Sequence, residues 1–237
     1  MKKIIVQEMV SVDGFFAGPN GELDWHNVDA EFNEYAIAML DSMDTLIFGR
    51  VTYDLMSAFW PSSEALKDDP IVASKMNSLP KIVFSKSSSG MGAGVDMSTG
   101  GGMGGGKSPV VVAASRKPLW NNTTMIGQID ADEIRKMKSG SKFGSKLGLS
   151  SGLTASAEDK KAENKSAENK NMVILGSGTI VSAFTRLGLI DEYRLIVNPV
   201  LLGKGKPLFT DIEKTLKLKL ASTHQFKSGN VLLVYVP

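Results

Sequence analysis

The sequence predicts an α/β fold, a mixed sheet flanked by helices and closed by a terminal antiparallel hairpin. Three observations lead there. Strand-length apolar runs alternate with stretches of helical periodicity, strands end in glycine just before a helix begins, and the last segments read as two strands around Ser228-Gly229-Asn230.

Lys2 to Val10 reads as a buried strand, followed by a long loop marked by Asp13-Gly14 and Gly18-Pro19-Asn20-Gly21. From Asp29 the pattern turns helical: Phe32, Tyr35, Ala36, Met39, Leu40 and Met43 recur at three- and four-residue steps, and Asp29 and Glu31 suit the positive end of that helix. Thr45 to Phe48 is a short apolar strand, and Gly49-Arg50 with Thr52 leads into a second helical stretch through Tyr53, Leu55 and Met56. A helix beginning near Pro70 precedes the strand Lys81 to Phe84. The last third repeats the order: strand Met172 to Leu175, the turn Gly176-Ser177-Gly178, helix Thr179 to Leu187 stopped by Gly188, and strand Tyr193 to Asn198. Leu216 to Ala221 and Val231 to Val236 form the hairpin.

One domain spanning residues 1–237 accommodates these elements, with low-complexity insertions at about 87–116 and 139–170. Gly100 to Gly106 is almost wholly glycine, a composition that buries too little to offset its ordering entropy. The second insertion carries the near-repeat Ala162-Glu163-Asn164-Lys165 and Ala167-Glu168-Asn169-Lys170. Val110 to Ala114 is a further strand-like run inside the first insertion. Gly101 to Ser108 matches a phosphate-loop pattern letter for letter, but no buried strand precedes it and Pro109 opens a β-favouring run where a helix is needed.

Composition removes several classes of function. A net charge of +2 with dispersed Lys and Arg argues against nucleic acid as a partner. No cysteine means no disulfide, no thiolate nucleophile and no Cys-based zinc site, and two separated histidines, His26 and His224, make a poor metal cluster. The first residues lack a signal-peptide core, and no run approaches about 18 consecutive apolar residues, so the expectation is a cytoplasmic chain without membrane partners.

A buried strand that turns through Gly176-Ser177-Gly178 into a helix at Thr179 aims unpaired backbone N–H groups at one spot, where a pyrophosphate would fit. Val181 stands where the dinucleotide fingerprint needs its third glycine, so a conventional Rossmann dehydrogenase is disfavoured. Gly49, Arg50 and Thr52 repeat the strand-glycine-helix arrangement with a fixed cation suited to a 2′-phosphate, and Ser85-Lys86 offers a third such strand end. For a proton donor or substrate anchor the first loop and helix supply Asp13, Asp24, Trp25, His26, Glu31 and Glu34. Glu31 falls at the border of the apolar stripe while Glu34 lies nearly opposite, and Trp25 has a face on which a flat ring can stack.

Ser11-Val12-Asp13-Gly14-Phe15, Leu46 to Tyr53, Lys81 to Lys86, Gly176 to Thr179, Leu189 to Tyr193 and Pro199 to Gly203 together resemble one family. It is the dihydrofolate-reductase-like domain found as the reductase half of the bifunctional riboflavin-biosynthesis deaminase/reductase and in stand-alone bacterial relatives. The resemblance covers the chain apart from the two insertions. It implies NADPH across the strand ends of a mixed sheet, a homodimer, and hydride transfer to a small pterin- or pyrimidine-type heterocycle. Gly49, Arg50, Thr52, Ser85 and Lys86 would then hold the adenosine phosphate side, and Gly176, Ser177, Gly178 and Thr179 the pyrophosphate. Asp13 and Gly14 would lie near the nicotinamide, with Glu31, Asp13 or water as the proton source. The alternative from another class is a nucleotide-binding module of the same fold, without turnover, acting as sensor or scaffold.

Overall fold

Apolar residues fill β1 (Ile4–Ser11), β3 (Met43–Gly49), β4 (Lys81–Phe84) and β8 (Asn171–Ile174) almost continuously, because these parallel strands are covered on both faces. Alternation divides each strand between two cores. Ile4, Val6, Ile47, Ile82, Met172 and Ile174 enter one layer, and Ile5, Leu46, Phe48, Val83 and Val173 enter the other.

The computed structural model describes residues 1–86, 120–139 and 170–237, with the backbone of 95–96 and 110–111. In chain order β1 is followed by β2 (Phe15–Ala17), α1 (Ala30–Asp41), β3, α2 (Arg50–Phe59), α3 (Ser63–Asp68), α4 (Pro70–Ser78) and β4. Then come β5 (Val95–Asp96), β6 (Val110–Val111), β7 (Thr123–Ile126), α5 (Ala131–Lys138), β8 and α6 (Gly178–Arg186). The chain closes with β9 (Glu192–Asn198), β10 (Lys206–Pro207), β11 (Lys219–Gln225) and β12 (Val231–Val236).

The main sheet has eight strands in the order β11-β12-β9-β1-β8-β3-β4-β7. The six from β9 to β7 run parallel, and the closing hairpin joins β9 through antiparallel β12. Val181 and Phe184 of α6 and Ile134 of α5 pack on one face; Met39 and Leu40 of α1, Tyr53 of α2, Ala65 of α3 and Ala73 of α4 pack on the other. The mixed, doubly covered sheet and its hairpin are as the sequence predicts.

Local chemistry sets the element boundaries. Asp29 caps α1, its side chain accepting from Phe32 N at 2.8 Å. Met43, the last member of the apolar stripe, is instead the first residue of β3 and fully buried. The penultimate strand begins at Lys219 rather than Leu216: all seven β11 residues are exposed, so pairing with β12, not burial, sets its limits. β6 does not join the main sheet but pairs with β5 in a separate two-stranded ribbon. The phosphate-loop pattern at 101–108 and the near-repeat at 162–170 lie outside the described residues, apart from Lys170.

Short elements that the sequence reading passed over hold the edges together. β2 pairs antiparallel with β10 and ties down the first loop. At the amino-terminal end of β4, the buried Lys81 ammonium donates to the carbonyls of Leu79 at 2.7 Å, Asn77 at 3.0 Å and Asn121 at 3.1 Å, and lies 4.3 Å from the Trp120 ring centroid.

Candidate active site

Brought together at the carboxyl ends of β3 and β8 are two glycine turns that were far apart in sequence. β3 leads into α2 on one face of the sheet and its neighbour β8 leads into α6 on the other, which opens a crevice between the strand ends. Gly49 N donates to Gly176 O at 3.1 Å across it. Neither Gly49 nor Ser177 caps its helix with a side chain, and among the described residues the first-turn N–H groups of α2 and α6, which start at the crevice, have no side-chain partner.

The turns interlock closely enough to require glycine. A Cβ on Gly49 would stand 2.4 Å from Ser177 Oγ, and one on Gly176 would stand 2.8 Å from Thr52 Oγ1. Gly176 also has φ +82, a backbone region costly for other residues, and is joined to Ser177 by a cis peptide bond. Gly178 is tight for a different reason: Phe16 Cε1 at 2.8 Å and Leu208 O at 3.0 Å would meet its Cβ, so here the β2–β10 ribbon fills the space. Gly49, Thr52, Gly176 and Ser177 therefore form one cluster. Ser85 and Lys86 follow directly from β4, whose Phe84 pairs with Gly49, and the side chain of Thr179 is exposed at the start of α6.

Arg50, the first residue of α2, is held one turn along by Asp54, with Nε donating to Oδ2 at 2.9 Å and Oδ1 at 3.0 Å. Burial pushes the Asp54 carboxyl up while the Arg50 guanidinium pulls it down. This pair fixes the guanidinium at the helix start, beside the crevice.

The carboxylates suggested by the sequence are engaged elsewhere. Asp13 accepts from Gly203 N at 2.7 Å and Leu202 N at 3.2 Å; a hydrogen bond from Ser11 first, opposed by desolvation and helped by these N–H groups, holds its carboxyl below the usual range. It latches the first loop to the segment after β9 and stays ionised. Glu31 accepts from Lys227 N at 2.8 Å and lies 3.2 Å from His224 Nε2, so it ties α1 to the closing hairpin, while Glu34 is exposed as the helical wheel predicts. Trp25 donates to Glu22 O at 3.1 Å and meets His26 edge-on, 4.4 Å between centroids.

His26 in turn lines a partly open cavity of about 140 Å³ bordered by β1, the first loop, α1, α2 and α4. Phe32, Met39, Met56, Trp60 and Val72 form its apolar walls, and Gln7, Glu8 and Asp69 its polar points. Burial, opposed by a Phe16 backbone group, pulls the His26 imidazole down to about 4, so the ring is neutral. The residue the sequence reading missed is Glu8. It is 8% exposed, lines this cavity, and accepts a hydrogen bond from Gly176 N in the glycine cluster. Burial pushes its carboxyl up to about 8, with the Gly176 N–H working against that rise. Its signal was available: an acid inside a strand otherwise buried on both faces. Glu8 thus joins the crevice to the cavity.

Among the described residues, no group of three or more His, Asp or Glu could hold a metal, and no helix is long and apolar enough to cross a membrane. The model of the RibD C-terminal domain matches residues 2–232. The uncharacterized protein YyaP of Bacillus subtilis is 26% identical over 236 residues, 99% of this chain and 94% of that protein. Two solved structures share the fold. One is from Shewanella sp. PV-4 and carries a provisional riboflavin-biosynthesis name: TM-score 0.59, 20% identity, covering 99% of this chain and 98% of that one. The other is the deaminase and 5-amino-6-(5-phosphoribosylamino)uracil reductase of Thermotoga maritima: TM-score 0.54, 12% identity, covering all of this chain but 56% of that protein.

Proposed function

The chain belongs to the RibD C-terminal domain family, and from that premise we propose that it is an NADPH-dependent reductase of a small pterin- or pyrimidine-type heterocycle. The observation that carries this reading is the interlocked pair of glycine turns, with two helix starts lacking side-chain caps, opening beside an apolar cavity. Anions seek helix N-termini and flat rings seek apolar slots, and here the two lie side by side.

In this reading Gly49, Arg50 and Thr52, with Ser85 and Lys86, hold the adenosine phosphate side, and Gly176, Ser177, Gly178 and Thr179 hold the pyrophosphate. Asp13 fixes the loop carrying Gly14 beside the nicotinamide, which supplies hydride when bound. The heterocycle occupies the cavity, where apolar walls exclude water and orient it against the strand ends. Trp25 acts through its edge contact with His26. A homodimer belongs to the same reading, and light scattering checks it. The rival reading, a nucleotide-binding module without turnover, draws support from Asp13 and Glu31 being committed to backbone N–H groups.

Fluorescence titration with NADPH and NADH, on wild type and Arg50→Ala, tests the reductase reading. The expected result is NADPH preferred by wild type and weakened about tenfold in the variant, with NADH little changed. Binding of neither nucleotide would sink it. Hydride transfer to any acceptor then separates the reductase from the module.

A further inference from the structure

The cavity discriminates by charge. Its ionisable lining residues are Glu8, Asp69 and His26, and among the described residues that line it there is no Lys or Arg. Asp69, just before α4, accepts through Oδ1 from Asn33 Nδ2 of α1 at 3.1 Å, and the remaining wall is largely aliphatic and aromatic. A phosphate placed there would lose its hydration, meet the acidic Asp69 and find no cation. The Thermotoga maritima reductase, by contrast, is named for a phosphoribosylated uracil.

Glu8 supplies the other half of the argument. It stands on the cavity wall with one carboxyl oxygen on Gly176 N. A buried acid in apolar surroundings keeps its proton, and a neutral carboxyl donates where a carboxylate only accepts.

We propose that this cavity takes an uncharged, phosphate-free flat heterocycle, recognised by the Glu8 carboxyl donating a hydrogen bond to a ring nitrogen or carbonyl. The proposal rests on the reductase reading above and names the substrate class for that site. Gln7 borders the same space, with its Oε1 accepting from Tyr35 O–H at 2.7 Å, and Arg194 and Glu192 of β9 stand behind Tyr35. Burial, the larger effect, raises Tyr35 above its ordinary value and His26 titrates near 4, so neither changes charge between about pH 6 and pH 9.

The test is calorimetric titration with quinazolinone, a flat uncharged bicycle, and with its phosphonomethyl derivative. Wild-type affinity for quinazolinone should fall about tenfold between pH 6 and pH 9, following an acid that titrates near 8. Glu8→Gln keeps both an acceptor for Gly176 N and an amide donor, so it should bind at all pH values with a flat profile. The phosphonate should bind at least about tenfold more weakly. No quinazolinone binding, a flat wild-type profile, the same fall in Glu8→Gln, or equal affinity for the phosphonate would each overturn the proposal. NADPH titration of the same samples keeps the two readings apart. Bound NADPH with a flat ring profile overturns the substrate class alone, whereas the predicted ring profile without NADPH binding supports the cavity assignment and overturns the reductase.

Discussion

The two ends of the parallel strands are built on opposite terms. At the amino-terminal ends the protein answers its own polar groups: Lys81 donates to three carbonyls, and Asp191 accepts from Ile4 N at 2.8 Å while pairing with Lys138 at 2.7 Å. At the carboxyl ends two helices start without side-chain caps, glycines pack where no Cβ fits, and Glu8 is buried at the cost of a raised pKa. The first end is organised for stability. In the reading proposed above, the second keeps donors and space for a ligand, the place where parallel α/β sheets generally bind one.

The contrast is broken most severely at Gly49. Gly49→Val places carbon atoms on Ser177 and should lower nucleotide affinity more than about a hundredfold, roughly 3 kcal/mol. Gly188→Ala is the control. It has φ +60 but nothing within 4 Å, so it should cost about 1 kcal/mol of stability and leave affinity intact. Titration and denaturant unfolding of both variants measure the pair.

At the opposite end, Lys81→Met strands three carbonyls and should cost about 2–4 kcal/mol of stability with NADPH affinity unchanged in the folded fraction. Comparable loss of affinity would erase the distinction between the ends.

Glu8 sharpens the contrast through pH. Its folded pKa, about 8, lies above the ordinary 4.5, so between these values the folded state binds more protons than the unfolded one. Stability attributable to this group is therefore full below about 4.5 and declines as pH rises to about 8. Glu8→Gln removes that decline, and unfolding at pH 5 and pH 8 should show the variant gaining about 3–4 kcal/mol relative to wild type at the higher pH.

The smallest effect is expected at Glu31. As a tie to Lys227 N and His224, its loss in Glu31→Ala should cost about 1 kcal/mol of stability and leave cofactor affinity unchanged. A fall in turnover without loss of stability would instead assign it the catalytic role that its position in the sequence suggests.

Much of the fold was legible because burial leaves a trace in residue order. The runs Ile4-Ile5-Val6, Leu46-Ile47-Phe48 and Met172-Val173-Ile174 read as doubly covered strands, and Asp29 read as a helix start. β2, β10 and the limits of β11 were not legible, since two- and three-residue ribbons and exposed edges are set by pairing partners distant in sequence. The same divide runs through the site. Gly49 and Gly176 announce themselves as turns, but that they touch each other, and that Glu8 reaches Gly176 across neighbouring strands, is a fact of sheet order. Asp13 and Glu31 had the right chemistry, and only the fold discloses the backbone N–H groups that already occupy them.

A crystal structure with NADP⁺ tests the central claim most directly. The account predicts the pyrophosphate about 3 Å from the first N–H groups of α6, with the 2′-phosphate at Arg50. Nucleotide lodged at any other place on the protein would contradict it.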